Sequence, residues 1–105
     1  LNNITPKDLK ARLDKGEAIL IIDVREDWEV QRASLPNTIN IPMQDIPDST
    51  DRIPQDKPVV IMCHSGGRSS QVVRWLEPQG YSNLINLAGG ISAWSREVDS
   101  SVPQY

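Results

Sequence analysis

The chain has 105 residues, 14 of them acidic and 11 basic, giving a net charge of −3, with a single cysteine and a single histidine. That length supports one domain with its own core, and the acidic balance argues against nucleic acid or an anionic membrane as a main partner. One cysteine excludes an internal disulfide, and with one histidine it cannot complete a four-ligand zinc site.

Taken in chain order, Thr5 followed by Pro6 and Asp8 reads as an N-cap, an N1 proline and a first-turn acid. Leu9 and Leu13 give this helix its apolar stripe, and Gly16 closes it. Residues 18–22 form a continuous apolar run, the pattern of a strand covered on both faces. A short helix is expected over about 26–31 and a small strand around 39–41. Residues 43–57 are polar and punctuated by proline, so they read as a loop with one short helical turn. Asp45, Asp48 and Asp51 within it are read as a solvated face rather than a metal site.

Residues 59–62 are the predicted central strand. After it, Val72, Val73 and Leu76 recur at helical spacing, and Pro78 ends or kinks that helix near Leu76 or Glu77. Residues 84–87 make the last strand and 91–96 a short terminal helix, while 99–105 read as a tail, surface-packed or mobile. Gly89 and Gly90 suit a tight turn and Trp94 the core; core or partner contact is expected for Trp28 and Trp75. Alternating strands and helices predict one α/β domain with a mainly parallel sheet. No run approaches a membrane span and no signal peptide is visible, so a reducing, cytoplasmic setting is expected. The chain begins at Leu1, from which either a longer parent protein or a trimmed start is expected.

The chemistry concentrates at Cys63-His64-Ser65-Gly66-Gly67-Arg68-Ser69, which follows the apolar run Val59-Val60-Ile61-Met62. A thiol at the end of a buried strand, facing a helix that starts near Ser69, receives N–H groups and the positive end of the helix dipole, which favour a thiolate. Gly66 and Gly67 permit positive φ angles and an inward-facing amide nest. Arg68 adds a permanent charge with a planar fork for an oxyanion, or it ties the loop to a carboxylate. Ser69 reads first as a helix cap, with donation to the sulfur as the alternative. Ser65 also offers a hydroxyl. His64 either tunes or contacts the reacting group, or faces solvent. Asp23 and Arg25 end the first long strand on the same sheet edge. Asp23 is expected to brace the loop by hydrogen bonds. Arg25 either attracts an anion or, as favoured here, pairs with Glu26 or Glu29.

These residues fit C-x-x-G-x-R-S and resemble the active-site loop of the rhodanese (thiosulfate sulfurtransferase) family. The likeness continues upstream in Ile21-Ile22-Asp23-Val24-Arg25-Glu26, Trp28-Glu29 and Leu35-Pro36 to Asn40-Ile41-Pro42. Downstream it runs through Gly80-Tyr81 and Leu87-Ala88-Gly89-Gly90-Ile91 to Ala93-Trp94. Where many members carry Gly-His-Ile-Pro-Gly-Ala, this chain has Ala33-Ser34-Leu35-Pro36-Asn37-Thr38, which points to a subfamily. The resemblance implies a rhodanese-like three-layer fold with helices on both faces of the sheet. Its motif core covers about 4–98. It also implies cofactor-free sulfur transfer through a Cys63 persulfide, with the loop from His64 to Ser69 binding a small anionic donor such as thiosulfate. The end of the chain, from Trp94 to Val102-Pro103-Gln104-Tyr105, is more weakly similar to rhodanese domains fused to ubiquitin-activating-like adenylyltransferases. That likeness implies a protein sulfur donor or a ubiquitin-like sulfur carrier as partner. Two other readings remain: a non-catalytic or regulatory binding module, and a cysteine-dependent phosphatase. Phosphatase signatures place five residues between cysteine and arginine, and this loop has four.

Overall fold

The computed structural model describes residues 1–105. Its strands are β1 (Asn3–Ile4), β2 (Leu20–Asp23), β3 (Thr38–Asn40), β4 (Val59–Met62) and β5 (Leu84–Leu87). Its α-helices are α1 (Pro6–Asp14), α2 (Asp27–Arg32), α3 (Gly67–Leu76) and α4 (Gly90–Glu97). The sheet order is β1-β5-β4-β2-β3, and every pairing is parallel. The expected mainly parallel sheet is therefore wholly parallel, and β4 lies at its centre.

Side-chain alternation along β4 divides the core. Val59, Ile61 and Cys63 join the cluster of Val72, Val73 and Leu76 from α3. Val60 and Met62 point to the other face, with Leu9 of α1 and Ile91 and Trp94 of α4. Helices thus cover both faces. A strand apolar at every position is what this two-sided burial requires, and all four β4 residues are buried.

Local signals behave as their chemistry dictates. The Thr5 hydroxyl accepts from the Asp8 N–H at 3.1 Å, with Pro6 opening α1. Helix α3 ends at Leu76 and a 3-10 turn over Glu77–Gln79 accommodates Pro78. The proline-rich stretch holds two 3-10 segments, Met43–Asp48 and Thr50–Arg52, where a single turn was expected. Ile46 and Ile53 anchor this stretch in the core. Trp94 is buried as expected, but Trp28 and Trp75 are not core residues, being 57% and 46% exposed. Because every pairing is parallel, all five strands end on the edge that carries Cys63, which follows β4 directly.

Candidate active site around Cys63

Cys63 is 1% exposed and sits where β4 gives way to the loop before α3. The loop is tied down from below. The Ile91 N–H donates to the Cys63 carbonyl and the Ser92 N–H to the His64 carbonyl, each at 3.0 Å. The first turn of α4 therefore spends its otherwise unpaired donors on this loop. Gly90 (φ +61°) makes that approach possible, because a Cβ there would collide with the Cys63 and His64 carbonyl groups.

The sulfur receives the Gly66 N–H at 3.0 Å and lies 3.3 Å from the Ser69 Oγ. Burial is the largest influence on the thiol and pushes its pKa up. The Ser69 hydroxyl and the N–H groups of Ser69, Gly66 and Ser65 more than offset it, so the thiol lies below its ordinary value. Gly66 supplies the left-handed turn at φ +107°. Gly67 does not share it: the helix starts there, two residues ahead of Ser69, so one glycine carries the turn. Ser69 is consequently inside the helix rather than its cap, and its fully buried hydroxyl turns to the sulfur and to Asn86 Oδ1, 2.5 Å away. Ser65 and Gly67 are exposed at the mouth of the loop and His64 is half-buried.

The Arg68 guanidinium forks onto Glu29 of α2, Nη1 to Oε1 at 2.6 Å and Nη2 to Oε2 at 2.8 Å. Of its two expected roles, the structure shows the tie to a carboxylate. Arg68 and Cys63 nevertheless feel one another's charge, and the thiolate adds to the rise in the Arg68 pKa that Glu29 chiefly causes. The Arg68 hydrogen bonds hold the Glu29 carboxyl down at about 2, against the opposing effect of burial, with further help from the Tyr105 hydroxyl.

Asp23 does not brace the loop directly. Its carboxylate accepts Arg25 Nε at 2.9 Å, Arg25 Nη2 at 2.7 Å and the Arg25 N–H at 3.1 Å, and both residues are fully buried. Arg25 also donates to the Ala33 carbonyl at 2.7 Å. Its structural role is as expected, but its carboxylate is Asp23 and not Glu26 or Glu29, because the bend after β2 brings residues two apart face to face. Burial lowers the Arg25 pKa, and the Asp23 and Tyr105 hydrogen bonds reverse this to a net rise.

Three residues outside the expected set complete the site. The Tyr105 hydroxyl donates to Glu29 Oε2 at 2.7 Å and accepts from Arg25 Nη1 at 2.9 Å. The Tyr105 ring stacks on His64, with centroids 4.2 Å apart. The tail is thus packed at the site. Glu29 carried a sequence signal as N3 of a capping box with Glu26. Asn86 carried one as the amide interrupting the apolar strand β5. Nothing local distinguishes Tyr105.

The arrangement holds a recessed sulfur that accepts backbone and hydroxyl hydrogen bonds within reach of the charge of the Arg68–Glu29 pair, an environment that favours a thiolate. The family model of the rhodanese-like domain matches residues 5–97. A sulfurtransferase of Allochromatium vinosum is 41% identical over 96 residues, spanning 91% of this chain and 90% of that protein. The probable adenylyltransferase/sulfurtransferase MoeZ of Mycobacterium tuberculosis is 28% identical over 99% of this chain, which matches 27% of it. The crystal structure of a rhodanese-like domain protein from Staphylococcus aureus superposes with a TM-score of 0.86 at 36% identity, covering 93% of this chain and 95% of that one. With a recessed cysteine just past the central strand of a parallel sheet and a family match over nearly its whole length, this chain belongs to the rhodanese-like domain family.

Proposed function

We propose that the protein is a sulfurtransferase that carries sulfane sulfur on Cys63. The Cys63 thiolate attacks the outer sulfur of thiosulfate. A new S–S bond forms, the old one breaks, and its electron pair leaves with sulfite, giving Cys63–S–S⁻. An acceptor such as cyanide or a thiolate then takes the terminal sulfur and returns the Cys63 thiolate, with no net redox change and no cofactor. The observation that carries this reading is the sulfur itself, 3.0 Å from the Gly66 N–H and 3.3 Å from the Ser69 Oγ at the start of α3. In this reading the same donors, with the N–H groups of Ser65 and Ser69, receive the persulfide charge. Arg68 contributes its charge and the rigidity of its Glu29 fork, and Asp23 with Arg25 supports the turn from behind.

A protein persulfide as donor, or a ubiquitin-like sulfur carrier as acceptor, is the natural extension, supported by relatives whose names join adenylyltransferase to sulfurtransferase. The test is intact mass before and after incubation with thiosulfate, with Cys63→Ser as control. Gain of one sulfur atom, lost on adding cyanide and absent from the variant, is expected. No gain from thiosulfate or from a protein persulfide would remove the sulfur-transfer reading and favour a binding module.

A further inference from the structure

Asn86 is a buried amide at a position where the strand pattern asks for an apolar side chain. It shares one face of β5 with Leu84, which packs in the same cluster as Cys63. An amide buried there carries a desolvation cost that only its hydrogen bonds offset. Those bonds form a line through the site. Cys63 Sγ lies 3.3 Å from Ser69 Oγ, Ser69 Oγ 2.5 Å from Asn86 Oδ1, and Asn86 Nδ2 donates to Asn3 Oδ1 at 3.0 Å.

A serine hydroxyl has one proton to give. With that proton on the short contact to Asn86 Oδ1, the only donor left for the Cys63–Ser69 contact is the thiol S–H. The observed chain therefore runs S–H to Oγ–H to Oδ1, the pattern of a protonated sulfur. A thiolate or persulfide anion can only accept. For Ser69 to donate to it, the hydroxyl must swing away from Asn86, leaving two oxygens face to face at 2.5 Å. Turning over the Asn86 amide removes that clash and places Nδ2–H against Ser69 Oγ. Asn3, exposed on the edge strand β1, turns over in the same sense.

We propose that Asn86 is a positioning residue for the reactive sulfur. It sets the direction of the Ser69 hydroxyl, and the chain Cys63–Ser69–Asn86–Asn3 reverses its donors each time negative charge arrives on or leaves the sulfur. No charge is buried by the reversal, and the Ser69 donor is strengthened when the anion needs it. The inference rests on Cys63 being the sulfur-carrying residue. The ionisable groups around it are Arg68 from α3, Glu29 from α2, His64 on the loop, and Tyr105 and Arg25 behind Glu29. From β5 and α4 the site meets neutral groups, Asn86 and Gly90. None of the charged groups is altered by the variants below.

The test is the Cys63 titration, read by thiolate ultraviolet absorbance against a Cys63→Ser blank. Asn86→Leu, similar in volume and suited to an apolar face, should raise the midpoint by about half a unit to one unit, a roughly three- to ten-fold loss of thiolate at neutral pH. Ser69→Ala should raise it at least as much, and Asn86→Leu should add nothing in the Ser69→Ala background. An unchanged or lowered midpoint in Asn86→Leu, or an equal shift with and without the Ser69 hydroxyl, overturns the proposal. Asn3→Ala, at the exposed end, keeps the test valid if Asn86→Leu fails to fold: a raised midpoint supports the chain and an unchanged one overturns it. These titrations use no sulfur donor. Shifted midpoints with no mass gain on any donor would leave the hydrogen-bond chain standing and remove the sulfur-transfer reading.

Discussion

The sulfur of Cys63 is pulled in two directions. Burial favours the neutral thiol, and a ring of donors favours the anion; the donors prevail. Alkylation of Cys63 should therefore titrate below the ordinary thiol value of about 8.5, and a midpoint at or above that value contradicts the site as described. Glu29 carries the matching argument for stability. Its folded pKa, about 2, is depressed from the ordinary carboxyl value. The stabilisation it brings is present above about pH 4.5 and is lost as the pH falls towards 2. The size is on the order of 2 kcal/mol, reduced from the full shift because the Arg68 side chain is 36% exposed. Urea unfolding should show wild type well above Glu29→Gln at pH 6 and the gap closing by pH 2.5. Arg68→Lys should lose most of the benefit, because an ammonium cannot span both carboxylate oxygens as the fork does.

At the scale of elements, the site is a short loop clamped between two helix N-termini. The cap of α3, Gly66, directs its amide at the sulfur, and α4 directs its first amides at the loop carbonyls. The two clamps meet at the glycines. Gly90→Ala forces a methyl group into the Cys63 and His64 carbonyl groups, which are backbone and cannot rotate away. It should lower stability by about 2–4 kcal/mol, combining overpacking with the positive φ. Sulfur transfer should fall more than ten-fold even at a temperature where the variant is folded. Gly66→Ala meets no contact closer than 3.4 Å, so only its φ of +107° is strained. A milder loss of about 1–2 kcal/mol is expected. Thermal melts of the two variants side by side check the ordering.

Across the whole molecule, Tyr105 closes a circuit between the end of the chain, α2, the turn after β2 and the Cys63 loop. Tyr105→Phe removes the hydroxyl that links Arg25 and Glu29 but keeps the ring on His64. It should cost about 1–2 kcal/mol, since both lost bonds involve charged partners. Tyr105→Ala removes the stack as well. Hydrogen exchange at the His64 and Ser65 amides should quicken in Tyr105→Ala and stay near wild type in Tyr105→Phe; equal quickening in both would show that the ring adds no order to the loop.

What the sequence determined was everything that is local or periodic. The apolar run at 59–62 required a two-sided central strand, Thr5-Pro6 required a helix start, and Cys63 with its glycines and Arg68 marked the loop on which the proposed chemistry rests. The resemblance carried by those motifs extends over the rhodanese-like match at 5–97. What only the tertiary structure decided was the partnership of distant side chains. Arg68 lies 39 residues from Glu29, and Tyr105 lies 80 from Arg25. Asn86 reaches Ser69 only because β5 pairs beside β4. Whether Ser69 caps a helix or serves the sulfur turned on where α3 begins: its cap is Gly66, three residues before Ser69. Such contacts depend on the order of strands in the sheet and the close packing of its ends, and the free energy that selects them comes from the assembled core rather than from any one segment.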